Sequence, residues 1–193
     1  MTPRTPREAA VSLLLEQRLH SLFIEPQKLR LPRHIIIDSM QAFCRVTNMA
    51  FPRLAAYKDA QDGFTLVKNS KTGPYHCILY NEEQRNLRRR SFTIAHELGH
   101  IFLGHPNDGD ENESAANVFA SELLMPGVLL AHYIKSGACT PDDVCAVFNV
   151  SRQAAAVRLG SFVDTDNRTD CELELLRRYA GLIPSRHGPL VTF

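Results

Sequence analysis

Apolar residues recur at two different spacings along the chain, and the change between them predicts the order of its elements. Residues 7–24 and 33–49 carry apolar side chains at helical spacing among charged ones, so we expect amphipathic helices there, the first broken near Pro26. Residues 64–67 and 75–80 are β-rich runs on either side of a Gly-Pro turn, a pattern that predicts a β-hairpin. The amino-terminal part is therefore expected to be helical and to lead into a small sheet.

Helical spacing returns after the hairpin. Ser91 is a suitable N-cap for a helix that runs to about Leu103 and stops at residues 104–106, where Gly and Pro occur. A second helix is expected from about Glu113 to Leu124, closed by a Met-Pro-Gly sequence. Shorter helical patterns follow at residues 128–136, 141–148, 151–163 and 170–180.

The first of these helices contains an H-E-x-x-H sequence, His96-Glu97-Leu98-Gly99-His100. Residues four apart on a helix lie about 40° apart around its axis, so both imidazoles can reach one metal ion. Glu97 is rotated by about 100° from His96, which suits a general base for the water that a zinc ion activates and does not suit a ligand. Two structural histidines are the less favoured interpretation, because each would need another hydrogen-bond partner among apolar neighbours.

A catalytic zinc usually keeps three protein ligands, and two residues compete for the third position. His105 lies nine residues after His96, whereas the longer pattern H-E-x-x-H-x-x-G-x-x-H requires ten and a glycine that this chain lacks at that point. We expect His105 to act instead at the carboxyl end of the helix. Glu113 is the better candidate, because it heads a predicted helix face that continues through Asn117. The alternative, a carboxylate that only favours the positive end of a helix, applies equally to Glu111.

Composition places the chain among ordinary soluble globular proteins. Hydrophobic residues make up 44% and charged residues 22%. The 22 Lys and Arg nearly balance the 21 Asp and Glu, so the net charge gives no overall electrostatic attraction for nucleic acid or an anionic membrane. No run approaches the roughly 20 apolar residues of a membrane span, and the start lacks the pattern of a signal peptide. Five cysteines without a C-x-x-C pair suit reduced thiols. We expect a soluble, cytoplasmic protein with no membrane partner.

Three blocks of sequence between residues 90 and 126 carry a resemblance to a known family. They are Arg90-Ser91-Phe92-Thr93-Ile94-Ala95-His96-Glu97-Leu98-Gly99-His100, Glu113-Ser114-Ala115-Ala116-Asn117-Val118-Phe119-Ala120 and Leu123-Leu124-Met125-Pro126. In this order they resemble the R-x-F-T-x-A-H-E-x-x-H, E-x-x-A-N-x-F-A and L-L-M-P blocks of the ImmA/IrrE metallopeptidases, sometimes described as minimal gluzincins. The likeness extends over about residues 60–162.

The resemblance carries expectations about the site and the substrate. It implies that His96, His100 and Glu113 bind Zn²⁺ and that Glu97 is the general base, in agreement with the spacing of these residues. It further implies that the substrate is a specific intracellular protein, a helix-turn-helix transcriptional repressor of a mobile element or stress response.

We therefore expect an α+β fold. A small antiparallel sheet would pack on a zincin-like H-E-x-x-H helix and on a second, glutamate-bearing helix, with helical amino- and carboxy-terminal parts. The predicted parts are an N-terminal helical segment, a zincin-like metallopeptidase core, a helix-turn-helix-like part, and a C-terminal helix with a tail, at residues 1–50, 51–135, 136–165 and 166–193.

The helix-turn-helix-like part has Asn149 in the predicted turn and Ser151 as the N-cap of its second helix. That helix offers few polar contacts, so we expect it to pack against the protein rather than to bind DNA directly. The polar residues are Arg152, Gln153 and Arg158.

Two smaller groups of residues have a structural and a functional interpretation. Arg85 and residues 88–90 form a basic run that could bind an acidic partner or phosphate, but a solvated face is favoured. Cys139 and Cys145 could suggest a metal pair, but small core residues are favoured.

Peptide hydrolysis also benefits from a donor aimed at the tetrahedral intermediate. His132 or Tyr133, just beyond the second helix, could supply it.

Two rival functions stay open. One is a non-catalytic module in which zinc organises a surface that binds a repressor or DNA; Glu97 argues against it, since a structural site normally closes its fourth position with a protein ligand. The other is a small-molecule zinc hydrolase, which a pocket closed around the metal would favour over an open groove beside the hairpin.

Overall fold

A computed structural model describes residues 5–47, 62–71, 73–106, 109–137, 139–164 and 167–184. Within these ranges the α+β class is confirmed by three strands and eight α-helices. The strands are β1 (Ile35–Ser39), β2 (Gly63–Ser70) and β3 (Gly73–Tyr80). The helices are α1 (Pro6–Leu15), α2 (Met40–Thr47), α3 (Leu87–Leu103), α4 (Asp110–Leu124), α5 (Gly127–Lys135), α6 (Pro141–Phe148), α7 (Arg152–Gly160) and α8 (Asp170–Tyr179).

The sheet has the strand order β1-β3-β2. β2 and β3 form the predicted antiparallel hairpin, with Gly63 opposite Tyr80 at its open end. β1 lies on the other side of β3 and runs parallel to it, with Ile35 opposite His76. β2 is therefore an edge strand, and β3 is central.

β1 corrects two expectations, a helix over residues 33–49 and a purely antiparallel sheet. Residues 35–37 are three consecutive isoleucines, whose β-branched side chains favour extended backbone over helix. The helix in this region, α2, begins only at Met40. A short apolar run of this kind fits a strand and a helix equally well by periodicity, and pairing with β3 decides between them.

The two helices of the predicted metal site both begin earlier than expected. The side chain of Asn86, not Ser91, caps α3 by accepting the backbone N–H groups of Arg88 and Arg89. α3 ends as predicted at Gly104, which adopts a φ of 68° that favours glycine. α4 begins at residue 110, so Glu113 lies in its first turn and does not start it.

α3 contacts both strands of the hairpin and also α4, and α1 contacts α3, α4 and α8. One hydrophobic cluster includes side chains from the amino terminus to the last helix, among them Leu14, Ile78, Leu98, Phe119 and Leu175. Burial of apolar surface in this cluster fixes α3 between the sheet and α4.

A buried ionic cluster connects the carboxy-terminal helices to this core. Glu122 on α4 is only 2% exposed, forms an ion pair with Arg158 on α7 and accepts the Gly127 N–H at 2.7 Å. Arg7 on α1 lies 3.7 Å from Glu122 and 2.6 Å from Glu172 on α8. Because a buried carboxylate needs such partners, the cluster fixes α7 and α8 against α4 and α1.

No single helix in the described ranges is long and apolar enough to cross a bilayer. α4 and α5 reach the necessary length and composition only when taken together, and they are bent by 51° relative to each other.

Candidate metal centre

Three side chains on α3 and α4 bring ligand atoms together. The Nε2 atoms of His96 and His100 lie 3.0 Å apart. Glu113 places one carboxylate oxygen 3.3 Å from His96 Nε2 and the other 3.2 Å from His100 Nε2. Among the described residues this is the one group of three or more His, Cys, Asp or Glu side chains close enough to share an ion.

The spacing of these atoms fits a tetrahedral metal ion. Ligand atoms at about 2.0–2.1 Å from a tetrahedral ion are separated from each other by about 3.3–3.4 Å. The observed separations of 3.0–3.3 Å come close to this value. The three side chains are therefore spaced to bind a tetrahedral ion through one atom each, which would leave the fourth position for a ligand from outside the cluster.

The close approach of α3 to α4 depends on Gly99, which lies inside the H-E-x-x-H sequence. A Cβ at this position would lie 3.0 Å from Ala116 Cα and 3.1 Å from the Ala116 carbonyl oxygen. It would also lie 3.2 Å from the Cβ of Phe119. All three contacts are with backbone or Cβ atoms of α4, which cannot easily move, so the absence of a side chain lets the two helices meet, one turn from Glu113.

Gly99→Val is expected to weaken metal binding, because its side chain would push α4 and Glu113 away from the histidines. Overpacking of this kind costs about 1–3 kcal/mol of unfolding free energy. Thermal unfolding and bound-metal analysis of the purified variant measure both effects. The matched control is Gly160→Val on α7, where an added Cβ meets nothing within 4 Å. Equal metal affinity in the two variants would contradict this role for Gly99.

His96 and His100 each have a second partner on the other ring nitrogen, Nδ1. His96 Nδ1 lies 3.0 Å from Asn117 Oδ1, and an amide oxygen can only accept, so Nδ1 carries the proton. His100 Nδ1 lies 3.1 Å from His105 Nδ1. Burial lowers the pKa of His105, so its ring is neutral at pH 7 and can accept from His100 in the tautomer that leaves its own Nδ1 unprotonated. When both Nδ1 atoms carry the protons, the Nε2 atoms are free to bind a metal ion.

The metal cluster opens into a cleft of about 430 Å³ whose wall includes β2. Glu97 lines this cleft, and its Oε2 accepts a hydrogen bond of 2.6 Å from the hydroxyl of Thr65 on β2. The side chains of His96 and His100 are 16% and 13% exposed, whereas Glu113 is 42% exposed. The cluster is therefore accessible from the side of α4.

Comparison with known proteins places this site in a family. The sequence model of the IrrE N-terminal-like domain, a peptidase family, matches residues 51–160, which are 110 of the 193 residues. The chain belongs to the ImmA/IrrE family. It is also similar to Metallopeptidase ImmA of Bacillus subtilis (strain 168), with 30% identity over 117 residues, 53% of this chain and 66% of that relative. The match thus spans slightly less than two thirds of the relative's length.

The two residues expected to stabilise an oxyanion do not line the cleft of this ImmA/IrrE protein. His132 is exposed on α5, and Tyr133 is buried in the hydrophobic cluster. These residues were chosen because they follow α4 closely in the sequence. The helix that carries them, α5, contacts α8. His76 on β3 lines the cleft instead. Burial, and secondarily His34, lower the pKa of His76, so its ring is neutral at pH 7 and has one N–H to donate.

The helix-turn-helix-like pair of the ImmA/IrrE chain forms where the sequence predicts it. Asn149 takes the turn position with a φ of 53°, and Ser151 caps α7 by accepting the Ala154 N–H. Arg152 forms an ion pair of 3.0 Å with Asp142, while Arg158 is held by the buried ionic cluster. Both arginines of α7 are thus engaged within the protein.

Three arginines of the basic run, and the two cysteines, make contacts within the protein. Arg88 donates to the side chain of Asn149, and Arg89 pairs with Asp62. Arg90 donates to two backbone carbonyls in the loop between β3 and α3, and it lies 5.3 Å from the ring of Tyr80. Arg85 is exposed. Cys139 and Cys145 are in the thiol form and pack, partly buried, against the hydrophobic cluster.

Proposed function

We propose that the chain is a zinc-dependent endopeptidase that cleaves one specific protein. The observation that carries this proposal is the arrangement of two imidazole Nε2 atoms and one carboxylate at 3.0–3.3 Å from each other, beside Glu97 in an open cleft. The name Metallopeptidase ImmA, borne by the Bacillus subtilis relative, agrees with it.

Zinc is the metal that these residues fit best. Two neutral imidazoles and one carboxylate in tetrahedral spacing match the ligand set of catalytic zinc sites, whereas magnesium and calcium prefer six or more oxygen ligands. Zinc bound here would supply Lewis acidity and lower the pKa of a water in the fourth position toward about 7.

Glu97 is the general base in this proposal. Its carboxylate accepts a proton from the attacking water and later returns it to the amine that leaves. The residue lies next to His96 in sequence, yet the metal cluster does not include it. The hydrogen bond from Thr65 holds its carboxylate on the β2 side of the cleft.

The substrate is proposed to add as a strand along the outer edge of β2. No described strand pairs with that edge. The Asn81 N–H donates to the Asp62 carbonyl at 2.8 Å, so these opposed residues form a hydrogen-bonded pair of the antiparallel ladder. Because such pairs alternate, the backbone groups of Gly63, Thr65 and Val67 point away from β3. An extended chain can therefore pair with these three residues.

The two rival functions fit the site less well. A non-catalytic module would have no use for a carboxylate beside an open metal position, and Glu97 is present there. A small-molecule hydrolase would favour a pocket closed around the metal, whereas this cleft continues along an edge strand. Direct DNA binding is not part of the proposal, since both arginines of α7 are paired with acidic residues.

A helix-turn-helix transcriptional repressor is the proposed substrate, which rests on the family resemblance. A dedicated peptidase is expected to leave casein essentially intact and to cut the repressor encoded nearest its gene at one site. The wild type and Glu97→Gln are incubated with each protein, and fragments are mapped by mass spectrometry. Rapid cleavage of casein at many sites by the wild type alone would refute the dedicated substrate while leaving the peptidase in place. A wild type that cleaves neither protein would count against the peptidase itself.

A further inference from the structure

We propose that Thr65 is a positioning residue for Glu97, and that it links pairing of the substrate backbone to the orientation of the general base. The inference rests on the proposed peptidase function. It assigns to one strand residue two contacts, a side-chain contact with the base and a backbone contact with the substrate.

The first observation is the hydrogen bond itself. The Thr65 hydroxyl donates to Glu97 Oε2 at 2.6 Å in a partly buried setting. Bonds from a neutral donor to a carboxylate are shorter and stronger than neutral pairs. Threonine is also restricted at χ1 by its branched Cβ, so the position of the hydroxyl follows from the strand backbone. The strand therefore determines where this oxygen of Glu97 lies.

The second observation is that β2 and α3 lie close together, with matching residues of strand and helix side by side. A Cβ on Gly63 would lie 2.6 Å from Thr93 Cγ2, so strand and helix approach as closely as a glycine allows. Thr65 lies two residues further along the strand, about 6.6 Å. Glu97 lies four residues further along the helix, about 6.0 Å. These two distances are nearly equal. Thr65 therefore lies beside Glu97 when Gly63 lies beside Thr93.

The third observation is the direction of the Thr65 backbone. Hydrogen-bonded pairs recur at every second residue of an antiparallel ladder. Asp62 and Asn81 form one such pair, so Phe64 and Leu79, two residues further along each strand, form the next. The N–H and C=O of Thr65 consequently face the free edge. A substrate strand that pairs there binds the same residue that holds Glu97, so the scissile bond and the base are aligned through a single residue.

Three variants separate this role from a structural one. Thr65→Val keeps the shape and removes the donor, and Thr65→Ser restores the donor. Val67→Pro removes an edge-facing N–H without affecting the ladder to β3, a position where an edge strand tolerates proline. The probes are the repressor encoded nearest the gene and a library of proteome-derived peptides, and kcat, KM, zinc content and Tm are measured for each variant.

Thr65→Val is expected to lower kcat by about 10- to 100-fold, the usual effect of losing a hydrogen bond to a charged group, with KM changed less than about twofold. Thr65→Ser is expected to recover most of the loss. Val67→Pro should instead raise KM, because one backbone bond to the substrate is missing. Zinc content should equal that of the wild type in all three.

Several results would overturn the inference. A Thr65→Val protein with wild-type kcat refutes it while the wild-type cleavage still supports a peptidase. A Thr65→Ser variant as impaired as Thr65→Val, or a loss that follows a fall in zinc content or Tm, shows a structural role only. A wild type that holds zinc but cleaves neither probe refutes the proposed function, and the inference with it.

Discussion

Replacing His96, His100 or Glu113 by Ala is expected to abolish zinc binding, which in the wild type we expect at one ion per chain. Each replacement leaves two protein ligands, too few for a stable catalytic zinc site. Each of the three side chains has a donor atom within 3.0–3.3 Å of a donor atom on each of the other two, so none of them is peripheral to the cluster. Elemental analysis of the dialysed proteins, expressed per mole of chain, measures the effect.

His105→Ala is the matched control for the ligand variants. His105 lies in the same cleft and contacts His100 through Nδ1, but it is not a member of the metal cluster. We expect one zinc per chain at saturating zinc, with an affinity lower by about 10- to 100-fold because the orientation of His100 is less restricted. Unchanged zinc in Glu113→Ala together with complete loss in His105→Ala would show that the third ligand is His105.

Glu97→Gln is expected to retain zinc and fold while cleavage of the substrate falls by about two to four orders of magnitude, the range for loss of a general base. The amide keeps the shape of the side chain and can still accept from Thr65, but it cannot take a proton from water. Single-turnover cleavage of the repressor, with zinc content and Tm measured on the same samples, tests this. A variant that cleaves at near the wild-type rate would favour the non-catalytic module.

The spacing of the candidate metal ligands made their arrangement predictable from the sequence. Residues four apart on any helix share a face, so the H-E-x-x-H pattern alone places His96 and His100 together. Glu113 needed a further assumption, that its helix packs on α3. The structure provides the contact through Gly99, whose role within the motif the spacing did not reveal.

Contacts between distant elements were not predictable in the same way. Asn117 lay on the predicted face of the second helix, so its contact with His96 had a signal in the sequence. No signal in the sequence indicated Thr65, because its hydrogen bond to Glu97 depends on how a strand is aligned with a helix. The sequence could not place His132 and Tyr133 for the same reason, since closeness in sequence to α4 did not determine which element α5 packs on.

Local structure was predicted best where a cap or turn residue determines it. Gly104 ends α3, Asn149 makes the turn before α7, and both adopt positive φ values as their residue types allow. β1 was missed because three isoleucines fit a strand or a buried helix, and only the partner strand β3 decides. The early start of α3 was missed because Leu87 is followed by three arginines, so its first turn shows no apolar period.

Anomalous X-ray scattering at the zinc edge, from crystals of the zinc-loaded protein, tests the metal centre most directly. One peak is expected, at about 2.0–2.1 Å from His96 Nε2, His100 Nε2 and a carboxylate oxygen of Glu113. Glu97 should lie beside this peak without coordinating it. A peak bound by His105 in place of Glu113, or a fourth protein ligand that closes the site, would contradict an open catalytic zinc held by these three residues.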